Sequence, residues 1–556
     1  MSQKSARDIE NKFSRQHKLS FEKIPHQSRL FLDFQKNSAA IGKFYPEKQT
    51  ALADYAAEVL DNYRVDRAAL CDILSETNES LGASRQTIEN IERLRESDCT
   101  TIVTGQQAGL FSGAIYTIYK AVSAIKLAAE LKKQNVKAVP VFWIAEEDHD
   151  FDEVKKTFVL DSEGKLAAIE NTPQNYAENF PVGAIRLDET VNKTIENLLE
   201  ILPRTEFSGA IKNFLSETYQ SGETYSAAFA KFLTKIFADY GLIILSPLDE
   251  RLKKLCSPIF AKAVENSDRI VSALLERNRE LKAENYAAQV LVAEDSFPFF
   301  YQNENGERQA LRKNTENSKL EVQNSKREFE QSELIEIARN SPRNLSPNAL
   351  LRPVVQDYLL PTLLYFGGAA EVAYFAQNSV IYEILNRPVT PIRHRASYTI
   401  IEPKHARTLR KYQINFTDLF GGKEKILTEI VEKYINTETA RVFAETEEII
   451  NAQLNRLEGN LSNNEPTLAE NSANRRKKIL WHIAALRKKY HRAEILKNET
   501  IHRRIENLFN ALLPNDALQE RALNVATFIN LYGANFIEWI YDATDSDEKE
   551  HQILYL

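Results

Sequence analysis

Glycine is scarce in this chain, with 17 in 556 residues. That is about 3%, less than half the usual share of roughly 7%. Tight hairpins that depend on glycine must be few, and the abundance of Ala, Leu, Glu, Lys and Asn points to a helix-rich protein. Cysteine is scarcer still. Cys71, Cys99 and Cys256 are odd in number and far apart, which excludes a disulfide framework and zinc-site spacing. None has an adjacent base, so none reads as a nucleophile, and a reducing, cytoplasmic setting fits best. An apolar leader is missing, since Met-Ser-Gln-Lys-Ser-Ala-Arg-Asp runs into charged residues. The longest uncharged run, 100–119, has membrane-span length, but Gly105, Gln106, Gln107, Gly109, Ser112 and Gly113 make its first half too polar for lipid. A surplus of positive charge is also lacking. Lys+Arg total 71 against 78 Asp+Glu, net -7, which gives no global electrostatic case for nucleic acid or an anionic membrane.

What is present is an ordinary globular balance, 43% hydrophobic and 27% charged, with chain enough for several domains. Residues 1–98 read as helices, notably Ala51–Tyr63 and Ser84–Leu94. Thr100-Thr-Ile-Val-Thr-Gly105 is a β-branched strand, Ala114–Lys133 a helix, and Lys137–Ala145 a second apolar strand. Strand, long helix, strand is a βαβ unit, which implies a parallel sheet with a right-handed crossover. A helix at Ser226–Asp239 leads into a third strand, Gly241–Ser246, and Leu252–Leu281 is mostly helical. Gln289–Phe300 with the Asn303-Glu-Asn-Gly306 turn suggests an inserted antiparallel hairpin. Residues 310–345 are Asn/Ser/Glu-rich and read as a mobile surface segment, and Pro388–Ile401 as a loop entering a strand.

From about residue 408 the pattern turns helical. Phe443, Thr446, Ile450, Leu454, Leu457 and Leu461 form one narrow stripe. Ile479, Ile483, Leu486, Tyr490 and Ala493, continued by Ile501, Ile505, Leu508 and Leu512, form another. Such stripes suit a coiled-coil seam. Asn463-Asn-Glu-Pro466 breaks the helix and folds the arms back antiparallel, with the acidic first arm facing a basic second arm (Arg475 to Arg504). The expected layout is a helical segment at 1–98, an α/β core at 99–405 with an insert at about 285–345, a coiled-coil hairpin at 406–515, and a return to the core at 516–556.

Four clusters could carry chemistry. Thr104-Gly-Gln-Gln-Ala-Gly-Leu-Phe-Ser-Gly113 lies between a strand and a helix, where open α/β sheets bind ligands. Gly105, Gly109 and Gly113 would let a ligand approach the backbone; Gln106, Gln107 and Ser112 would add hydrogen bonds beside helix-start N–H groups suited to anions. Glu146-Glu-Asp-His-Asp-Phe-Asp-Glu153 follows the second strand and surrounds His149 with carboxylates, Glu147 and Asp148 nearest. One histidine is a poor zinc set, whereas Mg2+ held with a nucleotide needs only oxygen ligands. Arg352, Gln356 and Asp357, with Glu371, Tyr374 and Gln377 on one helix face, suit a polar metabolite. Arg393 and Arg395 could neutralise phosphate or carboxylate. The bland alternatives are a plain turn, a solvated acidic helix start, a self-satisfied polar core and a surface loop.

These blocks carry a resemblance. Val103–Ala121, Val139–Glu153, Leu351–Pro361 and Gly367–Gln377, with Pro391–Lys404 and Asn524–Gly533, look like the signature of the bacillithiol-biosynthesis cysteine-adding enzymes, collinearly over nearly the whole chain. The resemblance implies a Rossmann-like core distantly related to class I aminoacyl-tRNA synthetases and nucleotidyltransferases, with inserted connecting segments and a coiled coil that supports a homodimer. It implies a ligase that joins cysteine to glucosaminyl-malate; the acidic charge balance separately leads to the expectation of no nucleic-acid or membrane partner. The chain departs from the pattern at Glu146 (a small residue expected), Ala114 and Ala370 (proline) and Asn378 (lysine).

Joining a carboxyl group to an amine is uphill in water, so ATP, with Mg2+ as its companion ion, is the expected energy donor. Gly105, Gln106, Gly109, Ser112 and Gly113 would hold the nucleotide or anion. His149, with Glu147 and Asp148, would orient the carboxylate or accept the amine's proton. Gln107, Arg352, Glu371, Tyr374, Gln377, Arg393 and Arg395 would bind the acceptor. No resident metal site is expected. Two other classes fit less of the pattern: a metal-dependent amidohydrolase built on Glu146–Asp150, and a coiled-coil interaction protein on a degenerate nucleotide-binding core.

Overall fold

The computed structural model describes residues 13–45, 51–174, 176, 178–314 and 319–556. The charged N-terminal octapeptide, read above for a leader, lies outside them. The core is a five-stranded sheet of β1 (Thr100–Gln106), β2 (Ala138–Ile144), β3 (Ile243–Leu245), β4 (Thr362–Gly367) and β5 (Ile392–His394), ordered β5-β4-β1-β2-β3 and parallel throughout. β1 and β2 are buried nearly end to end, as β-branched and aromatic runs covered on both faces should be. The connecting helix α1 (Tyr116–Lys133) buries Ile118, Tyr119, Val122 and Ile125. Chain order reverses between β4 and β1, and ligands bind open α/β sheets outside the carboxyl ends of the strands at such a reversal.

The strand tips are spaced closely. A Cβ on Gly105 would come within 2.6 Å of the Trp143 carbonyl oxygen, so the pairing of β1 with β2 requires glycine there. Two helices flank β4: α2 (Arg352–Leu359), opened by Pro353, and α3 (Ala369–Ile384), whose Glu371 side chain folds back to accept from the Gly368 N–H at 2.6 Å.

The described part of the segment expected to be mobile is ordered. Residues 308–313, 320–322 and 328–329 join strands 296–302 and 345–347 in a second, antiparallel sheet, and Gln331–Asn340 is a helix. Leu311, Leu320, Val322 and Phe329 form its buried face; sparse apolar residues at strand spacing were hidden by the polar majority. The Asn303–Gly306 turn joins two of its strands, as the sequence suggests. A three-stranded sheet escaped the sequence: residues 551–555 lie between Arg15–Leu19, antiparallel, and Tyr398–Ile401, parallel.

The coiled-coil hairpin is α4 (Thr437–Asn464) and α5 (Pro466–Lys497), broken at Glu465. Ion pairs Glu447–Arg487 at 3.3 Å and Glu458–Arg476 at 3.7 Å run in descending register, so the arms are antiparallel. Leu457 and Leu486, expected in the seam, are 50% and 60% exposed. The second stripe is also interrupted: Glu499–Leu512 is a separate helix that buries Ile505, Leu508 and Leu512. Among the described residues no helix is long and apolar enough to cross a membrane.

Candidate active site

The carboxyl ends of β1, β2 and β4, the residue after β5, the start of α2 and the second sheet converge on one cleft of about 530 Å³. β1 delivers Gly105, Gln106 and Gln107; β2 delivers Glu147, Asp148 and His149; α2 delivers Arg352, and α3 delivers Glu371 and Tyr374. Arg395 also lines it, and Phe300 and Arg308 reach in from the second sheet.

Lys120, which sequence reasoning passed over, is the hub of one end. It sits on α1 among apolar residues, buried, with Nζ donating to the Gly105 carbonyl at 2.8 Å and to Gln106 Oε1 at 2.9 Å and ion-paired to Glu371. Burial draws its pKa down, against the opposing pull of Glu371. Burial alone would raise the Glu371 carboxyl, but Lys120, the Gly368 N–H and the Tyr365 hydroxyl hold it below its usual value. A lysine on the apolar face of α1, one turn from Tyr116 and Ala124, was the available signal.

Arg352 donates to Gln356 Oε1 at 2.9 Å and to the Tyr374 hydroxyl at 3.2 Å, and lies over the Tyr365 ring. Among the described residues neither Arg352 nor Arg521, also in the cleft lining, has a carboxylate partner. Burial pushes the Tyr374 phenol up to about 12, so it remains a donor. A guanidinium enclosed by aromatic rings without a counter-ion is costly unless an anion joins it.

The opposite end is acidic. Gln107 Nε2 bridges Asp148 Oδ2 at 3.0 Å and Glu153 Oε2 at 2.9 Å. Glu147 is held by the buried Lys253 at 2.8 Å. His149 Nδ1 lies 3.0 Å from Arg308, whose guanidinium covers the Phe300 ring and donates through Nε to Ser346 Oγ. Glu146 takes no part. It is buried, accepts hydrogen bonds from Ser226, Ser246 and the Leu248 N–H, and burial raises its pKa. The acidic block is therefore not a uniform solvated surface.

Several expected site residues lie elsewhere. Gly109, Ser112 and Gly113 do not line the cleft. A Cβ on Gly109 would come within 2.9 Å of the Gly113 Cα, and Ser112 is buried with its N–H donating to the Tyr219 hydroxyl. The Asn524 amide donates to the carbonyls of Phe111 (2.9 Å) and Gly113 (2.8 Å), so these loop carbonyls are satisfied within the protein. Phe111, Ser112 and Gly113 all have positive φ, a tight turn in place of an anion cradle. Gln377 is wholly buried and clamps the chain at 289–290, accepting from both N–H groups and donating to the Val290 carbonyl. Arg393 pairs with Asp547 and faces a separate cavity. Arg395 lines the cleft, but Glu520 neutralises it at 2.7 Å.

Among the described residues no three His, Cys, Asp or Glu side chains gather as a metal-holding group, so the amidohydrolase alternative finds no ligand set. The cysteines are buried; burial pushes the Cys71 and Cys99 thiols up to about 11 and about 12.

Two family models match the chain: the N-terminal Rossmann-like domain of bacillithiol biosynthesis BshC over residues 16–396, and its C-terminal coiled-coil domain over 398–556. A protein of Koribacter versatilis called "Putative cysteine ligase BshC" is 33% identical over 96% of this chain and 98% of its own length. Proteins of the same name from Salinibacter ruber (31%, 94% and 96%) and Lysinibacillus sphaericus (28%, 97% and 100%) align as fully. A parallel sheet ending in one polar cleft, an antiparallel helical arm and end-to-end agreement with these proteins make the chain a member of the bacillithiol biosynthesis BshC family.

Proposed function

We propose that the protein is a cysteine ligase that joins the carboxyl group of cysteine to the amine of glucosaminyl-malate, the bacillithiol-forming step, in the cytoplasm. The observation that carries this reading is the polarity of the cleft. Arg352, Arg521 and Lys120 form a cationic end suited to the malate carboxylates or to phosphate, and Asp148, Glu153 and His149 form an end suited to an amine that must lose a proton. ATP is the energy donor in this proposal, and it would supply the activation of cysteine's carboxyl group. The guanidinium of Arg352, without a carboxylate partner among the described residues, fits an anionic group of that kind. Glu371 holds Lys120 at the cationic end, and Gln107 holds Asp148 and Glu153 in place at the other.

The exposed apolar residues of α4 and α5, among them Ile449 and Trp481, fit pairing with a second copy, so the arm serves dimerisation in this reading.

The test is direct. The protein is incubated with ATP, cysteine and glucosaminyl-malate, and the thiol product is identified by mass. Product is expected with wild type, and His149→Ala is expected not to restore bacillithiol to a strain lacking its own enzyme. Undiminished thiol in the His149→Ala strain refutes the assignment. Absence of binding of all three compounds in a calorimeter favours an interaction protein.

A further inference from the structure

We infer that Arg308 is a positioning residue that locks His149 in one tautomer, so that His149 serves the reaction as a hydrogen-bond donor through Nε2 and the amine's proton goes to Asp148. The inference rests on the ligase reading and assigns the roles inside that site.

A guanidinium has five N–H donors and no acceptor. The 3.0 Å contact between Arg308 and His149 Nδ1 is therefore a hydrogen bond only if Nδ1 offers its lone pair. The competitor for Nδ1 is Asp148 Oδ1, which would favour a proton there, but it stands at 3.7 Å, beyond hydrogen-bond range, and accepts from the His149 backbone N–H at 2.8 Å. Neutral imidazole carries one ring proton, and with Nδ1 accepting, that proton is on Nε2. Nε2 has no hydrogen-bond partner among the described residues, and His149 lines the cleft.

Arg308 cannot readily yield. Its side chain is buried, its Nε donates to Ser346 Oγ at 3.0 Å, and its plane covers Phe300 at 3.6 Å. Its backbone N–H donates to the Asn179 carbonyl at 2.9 Å. The second sheet thus presents a fixed cation to the ring.

An imidazole in this state has no free lone pair with which to take a proton from the amine. It can donate Nε2–H to an oxygen of the reacting carboxyl group, where negative charge grows as the amine nitrogen attacks. The acids nearby divide the remaining work. Glu147 is tied to the buried Lys253 at 2.8 Å, whereas Asp148, 3.7 Å from Arg308, is about two-fifths exposed and keeps a free lone pair beside Gln107. In the step, the C–N bond forms, the leaving oxygen departs with its bonding pair, and the amine proton converts the Asp148 carboxylate to a carboxylic acid.

The test uses the full-length protein labelled with 15N-histidine, unliganded. Long-range 1H–15N correlation reports which ring nitrogen is protonated, and the His149 signals are assigned by their loss in His149→Gln. Wild type and Arg308→Lys are expected to show a protonated Nε2 and a bare Nδ1; Arg308→Met is expected to lose that pattern. A protonated Nδ1 in wild type overturns the inference, whatever the substrate proves to be, so its failure is separable from failure of the ligase reading. In turnover, His149→Gln, which keeps an N–H near the Nε2 position, should retain activity within about tenfold. His149→Ala should lose about 10²-fold or more. Equal losses in the two variants overturn the donor role.

Discussion

The parallel sheet and the helical arm use apolar residues in opposite ways. β1 and β2 bury almost every side chain, and the Gly105–Trp143 approach leaves no room for a methyl group. On α4 no residue is fully buried, and Ile449 of α4 with Trp481 and Leu496 of α5 are 62%, 65% and 79% exposed. The sheet is complete within one chain and can hold a reactive geometry. The arm is held by a narrow seam and a few ion pairs, each worth under about 1 kcal/mol. Rigidity is thus concentrated where charges must be held in place, and apolar surface is left open where another surface could cover it.

That contrast can be broken experimentally, most severely at Lys120. Lys120→Met strands Glu371 beside Tyr365, and removal of one member of a buried pair costs about 3–5 kcal/mol. Chemical denaturation should show the loss, and an unchanged midpoint would mean that the pair is not structurally buried.

Acid should act next, through His551. Burial holds this imidazole down at about 4 from 6.5, against the pull of Glu520, so the folded state keeps it neutral while the unfolded chain protonates. Its contribution is fully present above pH 6.5 and is lost as pH falls from 6.5 toward 4, about 3 kcal/mol in the limit. Denaturation midpoints measured across that window should fall in wild type and fall less in His551→Gln; parallel slopes would remove His551 from the account.

Gly105→Ala should cost about 1–3 kcal/mol, because its Cβ meets backbone at 2.6 Å and backbone cannot swing aside. A thermal melt matching wild type would show that the strands can part. The smallest effect on folding belongs to the arm. Ile449→Glu or Trp481→Glu should shift stability by no more than about 0.5 kcal/mol while lowering the mass seen by sedimentation. A large loss of stability there would place the arm among the folding determinants and erase the contrast.

The core was legible because long apolar runs with strand and helix lengths admit few arrangements. Thr100–Gly105 and Lys137–Ala145 announced the sheet, and the acidic block after β2 announced one end of the cleft. The second sheet was not legible, because its strands bury single residues such as Leu320 and Phe329 within polar sequence. The glycine loop misled for a physical reason. Gly109 and Gly113 permit a tight turn against Asn524 and Tyr219, and sequence alone cannot separate backbone packing on a ligand from backbone packing on the protein. Lys120 and Arg308 were missed because each is meaningful only through a partner far along the chain, Glu371 and His149.

The three-stranded sheet has a consequence for biogenesis. Its middle strand is residues 551–555, and Gln16 and Gln552, which hydrogen-bond across it, are 536 positions apart. The strand at 15–19 leaves the ribosome early, and its partner strand exists only once residues 551–555 have been made. A nascent chain stalled before residue 551 would leave the strands at 15–19 and 398–401 both without the partner that joins them.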